Sequence, residues 1–167
     1  MGIGSFPYNL LLVLHVVCVV VGFGAVSLNG LYVSRTRQLT VEQRLAVGET
    51  NLFASTKVAE WFVYLVPFWG FGLSGMAKES YPVHKPWVGG ALLLWVVWVG
   101  LWHGVVRKGT RQMLAAEREL AAEPTVAPDD ARVALIEATG RRLMPVYTVL
   151  NLLVVASIVL MVFKPWN

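Results

Sequence analysis

Long apolar runs alternate with short charged ones along the chain. Residues 7–33 contain no charged side chain. A second apolar run covers residues 58–76, with Glu60 near its start. A third covers 87–106 and a fourth 143–163. A helix rises about 1.5 Å per residue and a bilayer core is about 30 Å thick, so roughly 20 apolar residues make one crossing. Each run therefore predicts one transmembrane helix. The charged segments between them also read as helical. Thr40-Val41-Glu42-Gln43 has capping-box spacing, and a helix begun there runs on into the second span. Residues 107–123 are rich in strong helix formers and extend the third span. Residues 124–128, bounded by Pro124 and Pro128, form a turn or short linker. Asp129 or Asp130 then caps a helix leading through Gly140 into the fourth span. Pro67 and Pro145 kink or start their helices. The expected fold is all-α: a four-transmembrane-helix bundle with cytoplasmic helical extensions, one integral membrane domain over residues 1–167.

Composition narrows the class. Of the 167 residues, 56% are apolar and 14% charged, with a mean hydropathy of +0.61. An average soluble domain is about a quarter charged. A soluble enzyme, a disordered chain and a disulfide scaffold are excluded, the last because Cys18 is the single cysteine. The first run has no Lys or Arg ahead of it and is too long for a cleaved signal peptide. Phe6 stands where a myristoylation signal needs Ser or Thr.

The net charge of +4 does not indicate a nucleic-acid partner, because the basic residues flank apolar runs. Arg35, Arg37, Arg44 and Lys57 lie between spans one and two. Arg107, Lys108, Arg111, Arg118, Arg132, Arg141 and Arg142 lie between spans three and four. Lys78, Lys85 and Lys164 are on the other side. The positive-inside rule places both basic segments in the cytoplasm and both termini outside, in the plasma (inner) membrane. Tyr8, Tyr81, Trp87 and Trp166 mark an outer aromatic belt, and Tyr32, Trp102 and Tyr147 an inner one.

In a bilayer, polar and small groups mark the face turned to protein. Stepping 100° per residue, His15, Cys18, Gly22, Ala25 and Asn29 share one stripe of about 80° on span one. Trp95, Trp98 and Trp102 form a stripe on span three, either packing aromatics or a wall against a flat cofactor. Gly100 and Gly104 have the Gly-xxx-Gly spacing of close helix contacts, and Gly70 to Ser74 is a similar small pair.

Intramembrane ionisable groups are sharper signals. Glu60 and His103 fall at similar depth near the inner ends of their spans and are placed to pair. Asn29 and Asn151 are suited to interhelical hydrogen bonds. His15 and His103 differ in depth by about 10 Å, too far for the two axial ligands of one haem unless the helices are offset. One-histidine ligation or separate sites remain open. His84 reads as an ordinary exposed histidine. No zinc spacing, phosphate loop or Ser-His-Asp set is present.

Four short stretches carry a family resemblance: Leu14-His15 with Gly22 and Gly24; Pro67 with the glycines to Gly72 or Gly75; Leu92-Leu93-Leu94 leading to Gly100 and His103; and Met161-Val162-Phe163-Lys164-Pro165. With these the chain resembles an uncharacterised group of small four-helix predicted integral membrane proteins. That group is distantly similar to the copper-resistance protein D membrane domain and the HemJ-type protoporphyrinogen oxidases. The resemblance implies haem b as the cofactor to consider, with His15 and His103 as its ligands. Ala91 stands where the oxidase pattern has Lys, and Tyr32-Val33-Ser34-Arg35 replaces a Tyr-Leu-Pro-Arg ending of span one. Copper handling has little to draw on, since methionines are few and no outer segment is Met-rich or His-rich.

Three readings follow. The first is a non-catalytic helper or subunit of a membrane complex that holds b-type haem or no cofactor. The second is a haem-dependent membrane oxidoreductase, with His15 and His103 as haem ligands or proton carriers and Glu60 as a proton relay. The third is a purely structural assembly partner. The expected partners are the lipid bilayer and other membrane proteins or further copies of the chain.

Overall fold

The computed structural model describes residues 2–36, 38–77, 84–123 and 130–165. Its regular elements are helices: α1 (Phe6–Ser27), α2 (Asn29–Thr36), α3 (Val41–Phe53), α4 (Glu60–Ala77), α5 (Pro86–Leu101), α6 (Arg107–Ala121) and α7 (Ala131–Phe163). A π-helical turn, Ala54–Ala59, carries α3 into α4. A second, Trp102–Val106, carries α5 into α6. The chain is thus four long rods, with the two charged extensions built as continuations of apolar helices.

Local chemistry explains the boundaries. Pro7 lies in the first turn of α1 and Pro86 in that of α5, where a missing N–H costs nothing. Thr40 and Gln43 form the expected capping box at the start of α3. Asp130 caps α7 by accepting from the Arg132 backbone N–H at 2.7 Å. Asp129 and the expected linker at 124–128 lie outside the described residues. Pro67 and Pro145 sit inside α4 and α7 rather than starting them. The 33 residues of α7 span about 50 Å.

The rods pack in pairs. α1 lies along α4, and α5 along α7. At the basic end α6 packs against both α3 and α7, and α2 leans on α7. Gly22 permits the α1–α4 contact. A Cβ there would sit 2.8 Å from the Val63 nitrogen and 3.2 Å from the Phe62 carbonyl carbon. The main core gathers Phe23, Val63, Trp98, Trp102, Leu143, Tyr147 and Leu150, with Val26, Ala59 and Val106 between them. A second core, Ala116, Leu120 and Ile136, joins α6 to the first turns of α7.

Among the described residues, three rods are long and apolar enough to cross a bilayer: Phe6–Thr36, Pro86–Ala121 and Ala131–Phe163. The expected second span, 58–76, does form a helix, but α4 does not meet that measure. Its 18 residues begin with Glu60 and include Pro67, two tryptophans, a tyrosine and three glycines, which contribute little on a transfer scale.

Several facial expectations change. Cys18, Gly22 and Asn29 are buried on the α1–α2 stripe, but Ala25 is exposed and Val26 takes the inner position. Trp87, Trp102 and Tyr147 are buried in the bundle rather than standing in a belt, whereas Tyr32 is exposed. Tyr81 and Trp166 lie outside the described residues. Gly100 and Gly104 face open space, so this Gly-xxx-Gly pair makes no close contact among the described residues.

Candidate functional site

A cluster of polar side chains from the spans lies beside the ends of the two π turns. Glu60 follows the first turn directly, Trp102 and His103 open the second, and Arg107 follows it. Glu60 is 7% exposed. Its Oε1 accepts from Trp102 Nε1 at 2.7 Å and from Arg107 Nη1 at 3.2 Å. Arg107 Nη1 also lies 3.4 Å from Oε2 and donates to His103 Nδ1 at 3.4 Å. A guanidinium only donates, so Nδ1 accepts and Nε2 carries the ring proton. Nε2 then donates to the Tyr64 hydroxyl oxygen at 2.6 Å. The Tyr64 and His103 rings stack with centroids 6.2 Å apart. A buried carboxylate is costly unless it is paired and hydrogen-bonded; here it is both.

Glu60 and His103 thus belong to one cluster, but Arg107 stands between them and they do not bond each other. Arg107, Trp102 and Tyr64 are the members that sequence reasoning missed. Arg107 was absorbed into the charge count for topology, and Trp102 into the aromatic stripe. The available signal was spacing: Arg107 is four residues after His103 and therefore on its face.

The other polar groups join helices pairwise. His15 Nδ1 donates to the Val66 carbonyl at 3.0 Å, with its ring over Gly70, where a Cβ would lie 3.4 Å from Cε1. Trp95 Nε1 donates to the Val63 carbonyl at 3.0 Å. That carbonyl is the one left open by the missing N–H of Pro67, four residues on. Asn29 Nδ2 donates to Ser55 Oγ at 3.2 Å. Asn151 Nδ2 donates to the Ser27 carbonyl at 3.3 Å, where α1 breaks into α2. The tryptophan stripe is packed: Trp98 and Trp102 stack at 5.8 Å, and Phe23 meets Trp98 edge-on at 4.9 Å.

These arrangements test the fit of haem between His15 and His103. Both ring nitrogens of His103 are hydrogen-bonded to protein groups. His15 meets α4 at Gly70, about 120° around that helix from Tyr64, where His103 meets it. The cavity at the basic end and a smaller one between α1, α5 and α7 are lined by no histidine. As placed, the two histidines therefore face different sides of α4 and are each hydrogen-bonded within the chain. His84 is exposed, and no group of three or more His, Cys, Asp or Glu suited to a metal ion occurs among the described residues.

A second polar site lies at the basic end. A cavity of about 50 Å³ opens between α2, α3, α6 and α7, with Tyr32, Arg44, Asn51, Thr110, Glu117 and Tyr147 in its wall. Glu117 is 5% exposed, and burial pushes its carboxyl up, against a smaller opposing pull from Arg44. The Arg44 Nε stands 3.8 Å from Glu117 Oε1, close enough for attraction but not a hydrogen bond. Nearby, Arg132 clamps the end of α6 to the start of α7, with Nη1 on Glu123 Oε1 at 2.7 Å and Nη2 on Asp130 Oδ2 at 2.6 Å. The Arg132 hydrogen bonds hold the Asp130 carboxyl down at about 2.

Comparison of the chain with family models, with curated proteins and with solved structures found no match.

Proposed function

We propose that this chain is a polytopic membrane protein acting as a non-catalytic subunit or helper within the bilayer. The observation that carries the reading is the use made of polar groups in the apolar rods. His15, Asn29, Glu60, Trp95, Trp102 and Asn151 each hydrogen-bond across a helix–helix boundary. Their chemistry is directed at assembly of the bundle. Around them large apolar side chains face outward on all four rods, among them Val20, Phe68, Leu93 and Leu152, each more than 60% exposed. Such surface suits lipid contact rather than water.

In this reading α4 crosses with the other rods, because it lies along α1. Its outward aromatics, Trp61, Tyr64 and Phe68, face lipid. The basic ends lie in the cytoplasm and both termini outside. The oxidoreductase reading draws no support from a His103 whose two nitrogens are both engaged.

The test is extraction followed by spectroscopy. The protein is expected to stay with membranes through an alkaline carbonate wash and to come out in detergent. Purified in detergent, incubated with haem b and freed of unbound haem by gel filtration, it is expected to show no Soret band beyond that of empty micelles treated alike. Release by carbonate would reject the membrane reading. A Soret band that shifts in His15→Ala or His103→Ala would show a haem held by that histidine and overturn the cofactor-free form of this reading. For topology, single cysteines in a Cys18→Ala background at position 111 should resist an impermeant thiol reagent added outside intact cells. Labelling there would reverse the orientation.

A further inference from the structure

The ion pairs of the structure sort the basic residues into two groups. Arg44, Arg107, Arg118, Arg132 and Arg141 each have an acidic partner within the chain. Arg35, Lys57, Lys108, Arg111 and Arg142 have no ion pair among the described residues, and none of them is buried. The second group is not scattered. Arg35 ends α2, Lys57 lies in the turn before α4, Lys108 and Arg111 open α6, and Arg142 lies just before Pro145 in α7. Each of the four rods thus supplies at least one unpaired cation where it turns from apolar to polar. Contacts among α2, α3, α6 and α7 bring these ends together at one end of the bundle.

The surroundings fix their level. Leu31 and Trp61, 62% and 65% exposed, lie one helical turn from Arg35 and Lys57 respectively. Val149 lies two turns beyond Arg142 on the apolar side. An exposed tryptophan at such a boundary sits at headgroup depth. The acids of this end are drawn away: Glu49, Glu60, Glu117, Glu123, Asp130 and Glu137 are held by the paired arginines. Glu42 and Glu119 stand towards the far ends of α3 and α6.

We propose that Arg35, Lys57, Lys108, Arg111 and Arg142 form a ring that binds the headgroups of anionic phospholipids around the bundle. The proposal rests on the membrane reading above and adds the partner's chemistry. Long cationic side chains reach from an apolar rim to a phosphate plane while their stems stay on apolar surface. Juxtamembrane basic clusters of this size draw anionic lipid. The paired arginines contribute little, because their charge is already met within the chain.

The test uses the full chain reconstituted in phosphatidylcholine vesicles with a minority of phosphatidylglycerol. Trace spin-labelled phosphatidylglycerol or phosphatidylcholine reports which lipid the protein immobilises. The wild type is expected to prefer the anionic lipid by about threefold, within what a few surface cations supply. The preference should fall towards parity in molar salt. It should fall likewise in the variant carrying R35Q, K57Q, K108Q, R111Q and R142Q. A control carrying R118Q and R141Q should keep it. The salt arm needs no substitution, so it decides the matter even if the fivefold variant does not fold. Failure to float with pure phosphatidylcholine vesicles would overturn the membrane reading and appears before any spin label is added. A protein that floats but immobilises both lipids equally, or whose preference is unmoved by salt, overturns the lipid-ring proposal alone.

Discussion

Removal of Arg107 tests whether the Glu60 cluster holds the bundle together. Glu60 is 7% exposed and has two donors, Trp102 and Arg107. Breaking a buried ion pair from one side costs about 3–5 kcal/mol, because the surviving charge stays buried. The Arg107 side chain is 28% exposed, so water shares its role and the lower end applies. Arg107→Gln should therefore cost about 3 kcal/mol. Adding Glu60→Gln removes the stranded charge and leaves a neutral acceptor for Trp102. The double variant should recover more than about 1 kcal/mol relative to Arg107→Gln alone. Trp102→Phe removes a hydrogen bond to a charged group and should cost about 1.5–3 kcal/mol, plus the packing of a ring that is 2% exposed. The assay is equilibrium unfolding in mixed micelles with a denaturing detergent, followed by helical circular dichroism. An Arg107→Gln protein within about 0.5 kcal/mol of wild type, the range of an ordinary surface change, would refute this account of the cluster.

Glycines of opposite environment should behave oppositely. Gly22→Ala pushes a Cβ into the α4 backbone and should destabilise by about 1–3 kcal/mol. Gly100→Ala meets open space and should be neutral or up to about 1 kcal/mol stabilising; both are read by the same micellar unfolding. Trp95→Phe strands the Val63 carbonyl opened by Pro67, so its cost should shrink in a Pro67→Ala background, which restores the missing backbone N–H; equal costs in both backgrounds would remove the explanation. At the basic end, the Asp130 carboxyl is held at about 2 by Arg132. Its stabilisation of the α7 start is present above the ordinary 3.8 and is lost as pH falls towards 2; amide exchange across the first turn of α7 should rise in that window, and much less in Asp130→Asn. Glu117 is shifted the other way by burial. It stabilises fully below its ordinary 4.5 and loses that contribution as pH rises through its folded value. Glu117→Gln should therefore be at least as stable as wild type at neutral pH and show a flatter pH profile, measured by thermal unfolding in detergent.

The rods were legible in the sequence because apolar runs, proline first turns, the Thr40 capping box and the Asp130 cap are local signals. Continuity of the spans with their charged extensions was legible for the same reason: no proline interrupts residues 107–121. The site was half legible. Glu60 and His103 stand out as ionisable groups in apolar runs, and their similar depth follows from counting residues. What joins them does not follow. The π turns change the angular register just before Glu60 and Arg107, and hydrophobic periodicity carries no mark of that change. Ala25 shows the same limit, since a fixed 100° step put it inside the bundle while packing chose Val26. Gly100 and Gly104 have the spacing of a close contact, but spacing alone does not say whether a neighbour is present.

The second π turn gives a sharper test of that register argument. A π turn bonds each N–H to the carbonyl five residues back, so it contains one residue more than an α-helix over the same rise. Gly104 lies in this turn, and a Cβ added to it would meet no atom within 4 Å. Its deletion removes no packing atom and returns the turn to α geometry. The residue removed is the one the π turn absorbs, so α6 keeps its angular position against α5. Arg107 then stays beside Glu60, and the lengths of both rods barely change. The deletion variant should keep its helical circular dichroism and stay within about 1 kcal/mol of wild type. Arg107→Gln placed on top of the deletion should cost its full amount, about 3 kcal/mol. A deletion that itself costs as much as Arg107→Gln, with little further loss when the two are combined, would mean that α6 turns away from α5 and that the π turn does not absorb the extra residue.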